Sequence, residues 1–202
     1  CVVGSLCNIE NSFGRSSTAE VVRIHKNSLE MIPHDVKFPV QIGDTVQLLQ
    51  SHQMVDVGEA LLGRVIDGLG NPLDELEGPI CDEKYLLDGT YLNPFMRRPI
   101  TEILDVGIRT INALLTIGSG QRVGIIAGSG VGKSVLLSMI TRNTSADIIV
   151  IALIGERGRE VASFTKEILS SQSHDKVVIV AVPADRSPLL RIQGAKRATA
   201  IC

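Results

Sequence analysis

The chain has 202 residues, 22 acidic and 20 basic side chains, a formal net charge of −2 and 44% apolar residues. That usage is ordinary for a folded globular protein and excludes a disordered tail, a collagen-like repeat and a disulfide scaffold. It also argues against a nucleic-acid binder resting on a large positive excess, because neutralising phosphates needs clustered Lys and Arg. Aromatic residues supply only 3%, two Tyr and four Phe without Trp, so a core must be built from Val, Ile, Leu and Ala.

In chain order, short strands are expected at Ala19–Ile24, Leu29–Ile32 and Thr45–Leu49, with turn chemistry at Asn11–Gly14, Pro33–Asp35 and Gly43-Asp44 between them. Closely spaced strands with Gly-rich punctuation read as a partial small N-terminal β-barrel over 1–72, ending in the turn cluster Asp67–Pro72. The breakers Gly78-Pro79, Asp88-Gly89, Asn93-Pro94 and Arg98-Pro99 mark 73–98 as a linker. From 99 to 202 the pattern alternates. A helical period at Ile103, Val106, Ile108, Ile111, Leu114 and Leu115 is followed by a strand (Arg122–Ala127), a helix (Lys133–Arg142) and a strand (Ile148–Ile154). Then come a helix (Arg159–Ser170), a strand (Val177–Val182) and a last helix with Ser187 as its cap and Pro188 at its first position. Alternating strands and helices predict an α/β fold, a parallel sheet with helices on both faces.

The longest apolar run, Ile148–Ile154, is far short of the roughly 18–20 residues that cross a bilayer. The cysteines at 1, 7, 81 and 202 form no C-x-x-C pair and no ligand spacing with the four His, which reads as reduced thiols. A start at Cys1 without Met and an end at Cys202 inside an apolar stretch read as an internal piece of a longer chain.

The strongest motif is Ala127-Gly128-Ser129-Gly130-Val131-Gly132-Lys133-Ser134, which fits G-x-x-x-x-G-K-[ST] except for Ala at its first position. Gly128, Gly130 and Gly132 let backbone N–H groups turn inward around phosphates that side chains would block. Lys133 then places a positive charge on the outer phosphates, and the Ser134 hydroxyl suits Mg²⁺. The helix that starts at Lys133 points its positive end the same way. The second constellation, Gly155-Glu156-Arg157-Gly158-Arg159-Glu160, follows the next strand. Ligands of open α/β sheets bind outside the carboxyl ends of the strands, so Glu156 should face the crevice of the loop. There it can orient and polarise a water attacking the terminal phosphate, with Arg157 balancing charge. Asp185 also follows a strand, but Pro183 and Ala184 intervene and Ser187-Pro188 make it helix-entry chemistry rather than a metal ligand.

These motifs resemble the rotary-ATPase-related protein-export ATPases. The resemblance rests on Gly63–Gly70, Arg98-Pro99-Ile100, Leu114–Arg122, the loop 127–134, Ile154–Val161 and Pro183–Ala195, and the last of these is most similar to the flagellar form. The injectisome (type III secretion) ATPases share most of them. The resemblance is weak over 1–58 and strong from 59 onward, and it implies a partial N-terminal β-barrel followed by a truncated RecA-like domain, with ATP and Mg²⁺ as cofactors and a homohexameric ring. It also implies work at the export gate on the inner face of the bacterial cytoplasmic membrane. The partners implied there are export-gate membrane proteins, a regulatory or stator protein, a central stalk and chaperone–substrate complexes, with no nucleic acid. The family's Walker-B Asp, arginine finger and C-terminal domain have no counterpart in the sequence, so this stretch alone is expected to hydrolyse little ATP. Lys196-Arg197 departs from the small or apolar residues expected in its helix.

Three rivals are weaker. A rotary ATP synthase catalytic subunit would be expected to carry Thr where Gly158 stands. A noncatalytic nucleotide-binding subunit would lose the carboxylate that Glu156 supplies. A ring-shaped RNA translocase would need stacking aromatics in a basic groove, and the first 72 residues offer only Phe13 and Phe38.

Overall fold

The computed structural model describes residues 1–128, 130–171 and 173–202. The N-terminal part is an antiparallel sheet in the order β3-β2-β1-β4, made of β1 (Leu6–Glu10), β2 (Ser16–Ile24), β3 (Leu29–Pro33) and β4 (Thr45–Gln50). Buried and open positions alternate in β1 and β2 with the period of half-buried strands, and Ile9 and Ala19 form a small core with Phe38 from the loop after β3, with Met31 against it. β1 has no counterpart in the sequence reading, although Cys7 and Ile9 alternate with more open neighbours as a half-buried strand requires.

Strand pairing crosses both ends of the expected linker 73–98. β5 (Met54–Val57) pairs antiparallel with β7 (Glu83–Leu86), and β6 (Val65–Ile66) joins the parallel sheet through β9 (Val177–Val182). Arg64 holds β6 in place. Its guanidinium donates to both carboxylate oxygens of Asp74 at 2.7 and 3.0 Å, and the Val65 N–H donates to the same carboxylate at 3.1 Å. The hydrogen-bonding Arg64 draws the Asp74 carboxyl down to about 2 from an ordinary 3.8.

The parallel sheet runs β6-β9-β8, with β8 spanning Ile149–Ile154. β9 lies between two strands and under two helices, so all six of its residues are buried and its run Val-Val-Ile-Val-Ala-Val shows no alternation. One face packs Ile179 and Ala181 against Val161, Phe164 and Ile168 of a helix over Gly158–Leu169. The other packs Val178 and Val180 against Ala198 and Ile201 of a helix over Pro188–Ile201. Helices thus cover both faces, as the α/β reading expects. A short helix α1 (Arg109–Leu114) and the phosphate-loop helix α2 (Lys133–Asn143) precede β8, and the two covering helices are α3 and α4 in chain order. Among the described residues no helix is long and apolar enough to cross a membrane.

Two sequence expectations need correction. The helical period from Ile103 to Leu115 yields helix only over Arg109–Leu114; Leu104 instead pairs its N–H with the Ile117 carbonyl, and the Ser119 N–H donates to Glu102. The run Arg122–Ala127 forms no strand and lies open, with Ile126 99% exposed. A strand needs a neighbour's N–H and C=O groups, and among the described residues the sheet ends at β8 without placing one beside this segment.

Lys196 and Arg197 fit α4 for a tertiary reason. Lys196 reaches the Asp88 carboxylate at the surface. Arg197 is buried, donates from Nε to the Gly68 carbonyl at 3.0 Å and lies beneath Gly70. A Cβ on Gly70 would come within 2.7 Å of its Nη1 at a backbone φ of +93°. Burial pulls the guanidinium below its usual pKa, with the Asp67 and Asp56 carboxylates opposing that effect.

Candidate functional site

The glycine loop turns into α2 through Gly132, which sits at φ +100° and precedes Lys133, the first helical residue. Gly130 is likewise left-handed, at φ +79°, so both positions call for glycine on backbone grounds alone. Gly128 has no positive φ. Among the described residues, and apart from each glycine's own chain neighbours, nothing lies within 4 Å of the place a Cβ would occupy at Gly128, Gly130 or Gly132, so this backbone borders open space. Among the described residues no side chain caps the start of α2, whereas Ser187 caps α4 by accepting from the Leu190 N–H at 3.2 Å. The first-turn N–H groups of α2 are therefore available to an anion. Ser129, expected within this loop, lies outside the described residues.

Glu156 and Arg157 stand in the turn between β8 and α3. Gly155, at φ +75°, closes β8 by donating its N–H to the Val182 carbonyl at 2.8 Å, and Glu156 accepts from the Ala184 N–H at 3.0 Å. The carboxyl ends of β8 and β9 are thereby tied together, and Glu156 projects from where they meet. Its Oε1 lies 3.8 Å from the Lys133 Nζ, with both side chains about 40% exposed (42% for Lys133, 39% for Glu156). Ala127, Gly128, Gly130, Gly132, Lys133, Ser134 and Glu156 line one cleft of about 500 Å³. Val131 is exposed beside it. Arg157 points along α3 instead, its Nη1 3.4 Å from Glu160 Oε1.

The two halves of the cleft are held at their distance by contacts farther along the helices. The buried Ser138 hydroxyl of α2 donates to Glu167 of α3, and Arg142 Nη2 lies 3.2 Å from the same carboxylate. Behind the Glu156 turn, α4 approaches so closely that a Cβ on Gly194 would come within 2.5 Å of Val182 and 2.9 Å of Ile154.

Three residues near the site were not singled out from the sequence. Glu160 lines the same cleft as Lys133; a carboxylate in the first turn of a helix that follows a strand is the signal that could have marked it. Arg191 of α4 lies against Gly155, its Nη1 3.9 Å from where a Cβ there would sit. Glu167 carries no local signal, since its partners lie on another helix. Asp185 belongs to the turn that leads into α4, where Arg186 donates its N–H to Pro183.

A parallel sheet covered on both faces, with a glycine loop and a helix start at the carboxyl ends of its strands, defines a phosphate-loop nucleotide-binding domain. The profile of the ATP synthase alpha/beta family, nucleotide-binding domain, matches residues 107–202. Over 209 residues the chain is 47% identical to the flagellum-specific ATP synthase of Salmonella typhimurium, covering 98% of this chain and 46% of that one. Over 202 residues it is 46% identical to the Pseudomonas aeruginosa protein of the same name, covering 98% and 45%. The assembled ATPase EscN of the enteropathogenic E. coli type III secretion system, solved in complex with its central stalk EscO, superposes with a TM-score of 0.89. The two are 40% identical, over 100% of this chain and 49% of that one. The chain belongs to the flagellar and type III secretion export-ATPase family, and membership implies that it binds nucleotide. It spans about half the length of the relatives it matches.

Proposed function

We propose that this chain is the ATP-binding and ATP-hydrolysing part of a subunit that energises flagellar protein export. The observation that carries the reading is the 3.8 Å approach of Lys133 to Glu156 across a glycine-lined cleft. Hydrolysis of a phosphoanhydride needs a cation on the outer phosphates and a group that directs water in line, and these two side chains supply them from opposite walls.

The open backbone of Gly128, Gly130 and Gly132, with the uncapped start of α2, fits the phosphates of ATP. Ala127 and Val131 are the remaining described positions of the loop. Ser134 would ligate Mg²⁺ through its hydroxyl, and the ion would neutralise charge on the phosphate oxygens. Lys133 holds the outer phosphates and balances the charge that builds on them. Glu156, fixed through the backbone by Ala184, accepts a hydrogen bond from the attacking water and orients it. Arg157, paired with Glu160 along α3, offsets negative charge beside the site.

The expected assembly is a homohexameric ring, peripheral to the inner face of the bacterial cytoplasmic membrane. It works with export-gate proteins, a regulatory or stator protein, a central stalk and chaperone-bound substrates, and with no nucleic acid. An injectisome ATPase is the second reading, favoured by the 0.89 superposition on EscN. In the protein that carries this sequence, Glu156→Gln is expected to abolish ATP turnover, measured as phosphate release, while nucleotide binding persists. Lys133→Ala is expected to weaken binding itself, by roughly tenfold or more for loss of a charged phosphate contact of about 1.5–3 kcal/mol. Turnover retained by Glu156→Gln removes Glu156 from the catalytic role.

A further inference from the structure

We propose that Glu156 also acts as a built-in competitor for the phosphate site: before nucleotide arrives it holds Lys133, and phosphate must break this ion pair to enter. The inference rests on the nucleotide-site reading above and concerns how that site is regulated.

Among the described residues lining the cleft there is one cation, Lys133, and two carboxylates, Glu156 and Glu160. Glu160 is matched by Arg157 one turn away on its own helix, at 3.4 Å. Glu156 has Lys133 instead, at 3.8 Å. The backbones on both sides are fixed, Lys133 as the first residue of α2 and Glu156 through the Ala184 N–H. Separating the pair therefore needs side-chain rotation alone, and both side chains are open enough to rotate.

Two consequences follow. A phosphate group carries more negative charge than the carboxylate and meets the α2 N–H groups as well, so it displaces Glu156 from Lys133. The carboxylate is then released from its cationic partner only when nucleotide is in place, which links its availability for catalysis to loading. The ion pair also lowers nucleotide affinity. For a pair this exposed the cost is about two- to fivefold, and it shrinks as salt screens the pair.

The test is the dissociation constant of N-methylanthraniloyl-ADP, read by fluorescence, for the unsubstituted protein and for Glu156→Gln, Glu160→Gln and Lys133→Ala. It is run at about 0.02 M and about 0.5 M salt, where the Debye length falls from tens of ångströms to a few. Glu156→Gln is expected to bind about two- to fivefold more tightly at low salt, with a smaller gain at high salt, and Glu160→Gln to gain less. Equal or weaker binding by Glu156→Gln overturns the proposal. So does an equal gain from Glu160→Gln, which would make the effect one of general negative charge. Lys133→Ala separates the two layers: if it leaves binding unchanged the phosphate site itself is wrong, whereas a loss there with no gain in Glu156→Gln removes only the competition.

Discussion

β9 and the segment Arg122–Ala127 are both six-residue stretches that read as strands in the sequence, and they meet opposite fates. Every residue of β9 is buried, while the other run leaves Val123 54% and Ile126 99% exposed. The difference lies in partners. β9 has β6 and β8 at its two edges and α3 and α4 on its two faces, so both its backbone groups and its side chains are satisfied. The segment Arg122–Ala127 is apolar at Val123, Ile125, Ile126 and Ala127, and among the described residues it has no strand beside it. An apolar run states what a segment needs; only a neighbour can provide it.

The largest expected effect tests the buried half. Ile179→Ala removes a side chain with no exposed surface from the face of β9 that packs on α3. It should cost about 2–5 kcal/mol by urea unfolding. A cost under about 1 kcal/mol would mean that β9 is less enclosed than its burial indicates.

A smaller effect tests what pins β6 to β9. The folded carboxyl of Asp74 lies near 2 against an ordinary 3.8. Its stabilisation is therefore present above pH 4 and disappears as pH falls through about 2, an amount of about 2 kcal/mol. Asp74→Asn should lower stability at neutral pH and flatten the acid limb between those values, as read by thermal unfolding across pH. An acid limb that keeps its slope would place the titration elsewhere.

The smallest effect tests the open half. Ile126→Ser should change stability by less than about 0.5 kcal/mol, since an exposed side chain loses little. A loss comparable to that of Ile179→Ala would show that Arg122–Ala127 is enclosed after all.

Much of the site was legible before any fold was known. The left-handed turns at Gly130 and Gly132, the helix beginning at Lys133 and the position of Glu156 just past β8 all follow from local pattern. The same holds for Ser187 and Pro188, where cap and first helical position lie side by side in the chain. What escaped involved distant partners. β7 lies in a stretch dense with breakers, and it is a strand only because β5 lies alongside. Arg197 looks misplaced in a helix until the Gly68 carbonyl and the bare backbone of Gly70 are found beneath it. Glu167 gains its role from Ser138 and Arg142 on another helix.

The sequence by itself determined the local geometry: periodicity, caps and left-handed glycines depend on residues a few positions apart, and those relations are written directly into the chain. Which apolar runs became paired strands, and that Lys133 meets Glu156 at 3.8 Å, was decided by tertiary structure alone. Hydrogen-bond partners and ion pairs between distant residues exist only once packing has brought the segments together.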